Sequence, residues 1–116
     1  LGLKQASMEA YNRWLAEFCA AYPARLVGLG QCAVRTPDSG IRELEAIKTL
    51  GFKGVMLPGL PGTVEDYNHE SYTEFFAAMV ELELVPSFHI LTSGEGLSRG
   101  FRGSKINSFM SIVRGN

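Results

Sequence analysis

The chain is poor in cysteine and histidine, with two of each among its 116 residues. Cys19 and Cys32 form no CxxC pair and have no histidine cluster beside them. That excludes a disulfide framework and a zinc-knuckle spacing, and both are expected as buried small hydrophobes. There is no excess of either charge: eleven basic residues face twelve acidic ones, for a formal net charge of -1. A generic nucleic-acid binder would carry a basic surplus, so no nucleic-acid partner is expected. The glycines follow no period, which excludes collagen-like and low-complexity chains. No apolar run approaches the roughly 18 residues of a membrane span. No basic start followed by an apolar stretch marks a secretory leader. A cytoplasmic protein without a membrane partner is therefore expected. What is present is the composition of a globular domain, 46% apolar and 20% charged, too apolar for a disordered chain.

The elements alternate. The spacing predicts a helix over Lys4–Tyr22, with Met8, Tyr11, Leu15, Phe18, Cys19 and Tyr22 as its apolar face. Pro23 stops it. Arg25–Val34 is an apolar run of strand length. Thr36-Pro37 is an N-cap with proline at the first helical position. A second helix follows, buried through Ile41, Leu44, Ile47 and Leu50 and ended by Gly51. Lys53–Leu57 reads as a second strand, and 58–70 as a turn-rich loop. Ser71-x-x-Glu74 predicts a capping box for a third helix, with Phe75, Phe76, Met79 and Leu82 inward. Pro86–Ile90 reads as a third strand, 91–104 as a glycine-rich loop, and Lys105–Val113 as a fourth helix.

Strand starts near 25, 53 and 86 give about 30 residues per βα unit. The strands are apolar throughout, as in a parallel sheet covered by helices, and right-handed crossovers follow. A closed (β/α)8 barrel of about 250 residues uses about 31 per unit. The chain is too short to close one. Three and a half barrel units and half of an open doubly wound sheet both satisfy the spacing.

In either architecture chemistry sits at the C-terminal ends of the strands. The positions to weigh are Gln31–Arg35, Met56–Gly59 and His89–Thr92. His89 is the sharpest, a polar and metal-competent residue near the end of an apolar strand. By itself it is compatible with a satisfied core histidine and with a ligand or proton-transfer role. His69, among Asp66, Asn68 and Glu70, is expected to be solvated. Gly28-x-Gly30-x-x-Ala33 matches a dinucleotide fingerprint formally, but no helix begins there and no acidic residue ends the next strand. No nucleophilic triad is evident; Ser87 is expected on the strand face opposite His89. Arg99, Arg102, Lys105 and Arg114 form a basic tail that would suit either a carboxylate or bulk water.

Several segments, taken in order, resemble one family. They are Asn12-x-x-Leu15-Ala16, Tyr22-Pro23-x-Arg25-Leu26-Val27-Gly28-Leu29-Gly30, Ile41-x-Glu43-Leu44-Glu45, Leu50-Gly51-Phe52-x-Gly54-Val55, Pro86-Ser87-Phe88-His89-Ile90, and the tail from Lys105 to Asn116. Together they resemble the amidohydrolase-related metal-dependent barrels, and among these the aminocarboxymuconate-semialdehyde decarboxylase-like enzymes. The resemblance implies a partial (β/α)8 barrel whose strands correspond to the third, fourth and fifth. It implies a divalent metal, usually zinc, held by an HxH pair on the first strand, a histidine on the fifth and an aspartate on the eighth. His89 matches the fifth-strand ligand. Binuclear members place a bridging lysine or glutamate on the fourth strand; Val55, Met56 and Leu57 here resemble the mononuclear branch. The implied substrate is a small carboxylate, lost as CO2 or hydrolysed, with the metal lowering the pKa of a bound water or polarising a substrate oxygen.

The sequence departs from that pattern by holding one ligand of about four and no HxH. It begins at Leu1 and stops just after an amphipathic segment, so it is expected to be an internal fragment, inactive alone, of an enzyme that can form homo-oligomers. Three strands cut from a barrel leave open edges and an apolar inner face, so the isolated chain is expected to associate or stay partly unfolded. The alternative is a stand-alone, non-catalytic α/β binding module.

Overall fold

The computed structural model describes residues 2–89. The loop expected over 91–104, the helix expected over Lys105–Val113 and the basic tail lie outside the described residues. Helix α1 spans Leu3–Ala20, strand β1 Leu29–Gln31, helix α2 Pro37–Thr49 and strand β2 Gly54–Pro58. A 3-10 turn over Glu70–Tyr72 leads into helix α3, Thr73–Glu81, and strand β3 is Val85–His89. The sheet has the order β1-β2-β3 and both pairings are parallel. This is the αβαβαβ alternation anticipated from the spacing.

Local chemistry sets the boundaries. Thr36 caps α2 by accepting from the Ser39 amide at 3.1 Å, and the Ser39 hydroxyl returns the bond to the Thr36 amide at 3.1 Å. Pro37, fixed near helical φ, opens the first turn. Gly51 ends the helix at φ +87°, where a side chain would be strained. The expected Ser71-x-x-Glu74 box is replaced. His69 caps the 3-10 turn, with Nδ1 accepting from the Ser71 amide at 3.2 Å. The imidazole is exposed, as expected, and serves as a capping group as well.

Strand β1 is much shorter than the apolar run Arg25–Val34 suggested. Its ladder begins only where β2 can meet it, Leu29 opposite Gly54, and runs to Gln31 opposite Met56. Val34 then turns to φ +47°, which takes the chain out of the extended region.

The ladder sorts side chains between two faces. Gly30, Val55, Leu57 and Phe88 share one face, and Gln31, Met56, Ser87, Pro58 and His89 share the other. Residues two apart in a strand lie on the same face, so Ser87 stands on the side of His89, not opposite it. The first face packs on the helices. Val55 and Leu57 are fully buried together with Leu44 and Ile47 of α2, Phe75 of α3 and Tyr72. Each such aliphatic or aromatic side chain contributes about 1.5–3 kcal/mol by leaving water. Gly30 permits this contact: a β-carbon there would lie 2.6 Å from Ile47 Cγ2.

Helix α1 differs from its apolar reading. Tyr11, Trp14, Phe18 and Tyr22 are exposed, and the buried residue is Asn12. Tyr11, Trp14 and Phe18 stack along the helix with successive ring centroids 5.5 Å apart. At about 100° per residue, Trp14 lies roughly 200° around the helix from Asn12. The reason is position. Among the described residues β1 is the outer strand of the sheet, and Asn12 of α1 turns inward to its Gln31 backbone.

Candidate functional site

The C-terminal ends of the three strands form one rim, and side chains from the surrounding elements secure their backbones. At β1, the Asn12 amide closes a two-point contact with Gln31: Nδ2 donates to the Gln31 carbonyl at 2.8 Å, and Oδ1 accepts from the Gln31 N–H at 2.7 Å. A side-chain amide thus occupies the place of a neighbouring strand. One residue on, the Cys32 N–H donates to the Met56 carbonyl at 3.1 Å. Next, the Ala33 N–H donates to Glu43 Oε2 at 2.6 Å. The Val34 carbonyl accepts from the Gly62 N–H at 3.1 Å, which ties the β1 rim to the long loop after β2.

Glu43 is the buried carboxyl of this set, 7% exposed, and its Oε2 takes the Ala33 N–H. Burial raises its pKa above the ordinary carboxyl range, against the lowering pull of the Ala33 N–H. Cys32 is fully buried beside it, and burial pushes that thiol upward too. A thiol held protonated is no nucleophile, so the expectation of an inert buried cysteine stands for Cys32. Cys19 is only partly buried.

At the other end of the rim, His89 is the last residue of β3 and stands opposite Pro58 of β2. The Gly59 N–H donates to the His89 carbonyl at 3.0 Å. The Tyr67 hydroxyl donates to the Pro58 carbonyl at 3.0 Å, within the interior. The Tyr67 ring meets the rings of Phe88, Tyr72 and Phe76 edge-on, with centroids 5.4, 5.2 and 6.1 Å away.

His89, the candidate ligand, and His69 are not brought into one ligand group among the described residues. Among the described residues no three His, Cys, Asp or Glu side chains come close enough to hold a metal ion. His89 offers a donor of a type suited to zinc; as one donor it does not make a site, and this segment alone does not fit a catalytic metal. The Gly28-x-Gly30 run lies at β1, while the next helix starts at Pro37 with its terminus capped by Thr36 and Ser39. That arrangement leaves no strand-to-helix turn for a pyrophosphate.

Asn12, Glu43 and Tyr67 were not singled out as rim residues from the sequence. A signal existed for two of them. Asn12 interrupts the Met8–Leu15 stripe, and Glu43 lies within the Ile41–Leu44–Ile47 stripe, each a polar side chain on a helix face that must be buried.

Comparison with known proteins bears on this geometry. The family model described as amidohydrolase matches residues 1–112. The crystal structure of 5-carboxyvanillate decarboxylase LigW from Sphingomonas paucimobilis superposes with a TM-score of 0.70 at 23% identity, over 96% of this chain and 35% of that one. That of 2,6-dihydroxybenzoate decarboxylase, complexed with 2,6-dihydroxybenzoate, superposes with a TM-score of 0.60 at 23% identity, over 91% of this chain and 39% of that one. The chain therefore spans little more than a third of the length of these two structures. The likeness identifies the architecture as part of a (β/α)8 barrel.

Proposed function

The chain belongs to the amidohydrolase family, and from that premise we propose that it forms the third to fifth βα units of a metal-dependent barrel enzyme acting on a small carboxylate. Decarboxylation is the favoured reaction, since the two structures that share its fold are decarboxylases. One observation carries the reading. His89 ends a strand of a parallel sheet, on the face away from the helices, at the rim where barrel enzymes place their ligands. In this reading His89 is one of about four metal donors, and the rest of the barrel supplies the others. The parent alone is the active unit.

The remaining inner-face positions fit a supporting role. Leu29, Gln31, Met56 and Ser87 are neutral. The cation that a carboxylate substrate needs is therefore contributed from outside these three strands. Among the described residues no helix is long and apolar enough to cross a membrane.

The test reads the flanking DNA first. The reading expects an open frame with an HxH on an upstream strand and a histidine and an aspartate downstream. Metal content of the purified parent is then compared between wild type and His89→Asn. Loss of most bound metal in the variant supports the assignment. In-frame stops close to both ends, or full metal retention by a folded His89→Asn protein, would sink it.

A further inference from the structure

The Pro58–Gly59 peptide is held from both of its ends. Its carbonyl accepts the Tyr67 hydroxyl at 3.0 Å and its N–H donates to the His89 carbonyl at 3.0 Å. Because a peptide unit is planar, fixing one end fixes the direction of the other. The chain of contacts runs from the Tyr67 O–H through one rigid plane to the backbone of His89, and consecutive hydrogen bonds of this kind reinforce each other. Tyr67 also packs edge-on against Phe88, the residue before His89, with centroids 5.4 Å apart. It is itself 6% exposed and enclosed by Tyr72 and Phe76. Its amide donates to its neighbour's Asp66 Oδ1 at 2.7 Å, which fixes the backbone from which the ring projects. A loop residue thus grips the last rung of the β2–β3 ladder from two directions.

From this geometry we propose that Tyr67 is a positioning residue that sets the place of His89 at the rim, acting through the Pro58–Gly59 peptide plane. Its importance for chemistry rests on the reading of His89 given above; the mechanical link does not.

The experiment separates the two. Tyr67→Phe keeps the ring and removes the hydroxyl. Tyr72→Phe is the matched control, since that buried phenol pairs with Thr63 instead of the rung. Amide hydrogen exchange is followed at Gly59 in the full-length parent carrying either substitution. The buried Pro58 carbonyl loses its donor only in Tyr67→Phe, so exchange at Gly59 is expected to quicken at least about fivefold there and to stay within twofold in Tyr72→Phe. The proton resonances of the His89 ring should shift in the first variant and not in the second. Equal acceleration in both variants, or none in Tyr67→Phe, would overturn the positioning role. Neither outcome depends on a metal, so a failure here is distinct from a failure of His89→Asn to lose metal in the parent.

Discussion

Replacing Asn12 by alanine should be among the more costly single changes on α1, although the helix is largely exposed. The Asn12 side chain is 4% exposed and makes two short hydrogen bonds to the backbone of Gln31, at 2.8 and 2.7 Å. A net hydrogen bond is worth about 1 kcal/mol, and a polar group left unpaired away from water costs about 1–3 kcal/mol. The Gln31 groups are only partly buried, so the lower part of that range applies, and the sum is about 2–3 kcal/mol. With a urea slope of about 1.5 kcal/mol/M for a chain of this size, the midpoint should fall by roughly 1.3–2 M. Asn12→Leu restores the volume without the hydrogen bonds and should cost nearly as much, which separates polar pairing from packing. The assay is urea unfolding followed by far-ultraviolet circular dichroism, at a concentration where sedimentation shows monomer. A midpoint shift below about 0.3 M in both variants would refute the reasoning, because it would mean that water satisfies Gln31 as well as Asn12 does.

Other perturbations test the remaining structure. Glu43 is buried with its carboxyl pKa raised, so the folded chain binds its proton more tightly than the unfolded chain does; its contribution is greatest at acid pH and is lost as pH climbs from the ordinary carboxyl range through the raised value. Glu43→Gln removes that loss: the variant should gain stability relative to wild type as pH rises from about 4 to 7, read as the difference between thermal midpoints, and a difference that is flat or of opposite sign would reject it. Gly30→Ala places a β-carbon 2.6 Å from Ile47 Cγ2 and should cost about 1–3 kcal/mol by overpacking. Adding Ile47→Ala should recover part of that loss in a double-mutant cycle, whereas strict additivity would place the clash elsewhere. The exposed rings of Tyr11, Trp14 and Phe18 should make the isolated chain self-associate at micromolar concentration, and Trp14→Lys should weaken this; a monodisperse wild-type monomer in sedimentation would contradict the expectation.

Element order was legible because period and punctuation agreed. Thr36-Pro37 and Gly51 bracket α2 in the sequence and in the structure, and the inward stripe of Leu44 and Ile47 is fully buried. The misreadings of α1 and of the α3 cap share a cause, which is that tertiary surroundings choose among local options; that of Ser87 does not, since strand period alone sets its face. Ser71-x-x-Glu74 is a valid capping box in isolation, but His69 offers an acceptor to the same Ser71 amide and delays the helix to Thr73. The α1 stripe is right for Leu15, which packs on the core, and wrong for Tyr11 and Phe18, because the helix is turned so that Asn12 reaches the Gln31 backbone. The face of Ser87 was a matter of strand period, and the ladder decides it through Met56 opposite Ser87 and Pro58 opposite His89. For the candidate site, His89 was visible as a polar residue in an apolar strand. Tyr67 was not, since nothing in a loop sequence indicates which backbone carbonyl a phenol will reach.

The rim also explains how a parallel sheet can end in ordered positions. Each strand runs out of ladder partners at its C-terminal end, just where barrel enzymes need fixed side chains. Here the last backbone groups are taken by side chains from other elements: Gln31 by Asn12 of α1, Ala33 by Glu43 of α2, and Pro58 by Tyr67 of the loop after β2. All three donors or acceptors come from residues at most 7% exposed, so water competes poorly for them. Such bonds fix a backbone without committing the face of the strand that carries His89. That separates the face carrying His89 from the side chains that keep the rim geometry, which come from α1, α2 and the loop after β2. Asn12→Ala, Glu43→Ala and Tyr67→Phe in the parent should therefore alter exchange at the rim amides more than His89→Asn does. His89→Asn, in turn, should remove metal while leaving those amides as slow as in wild type. Faster rim exchange in His89→Asn would show instead that His89 itself holds the rim together.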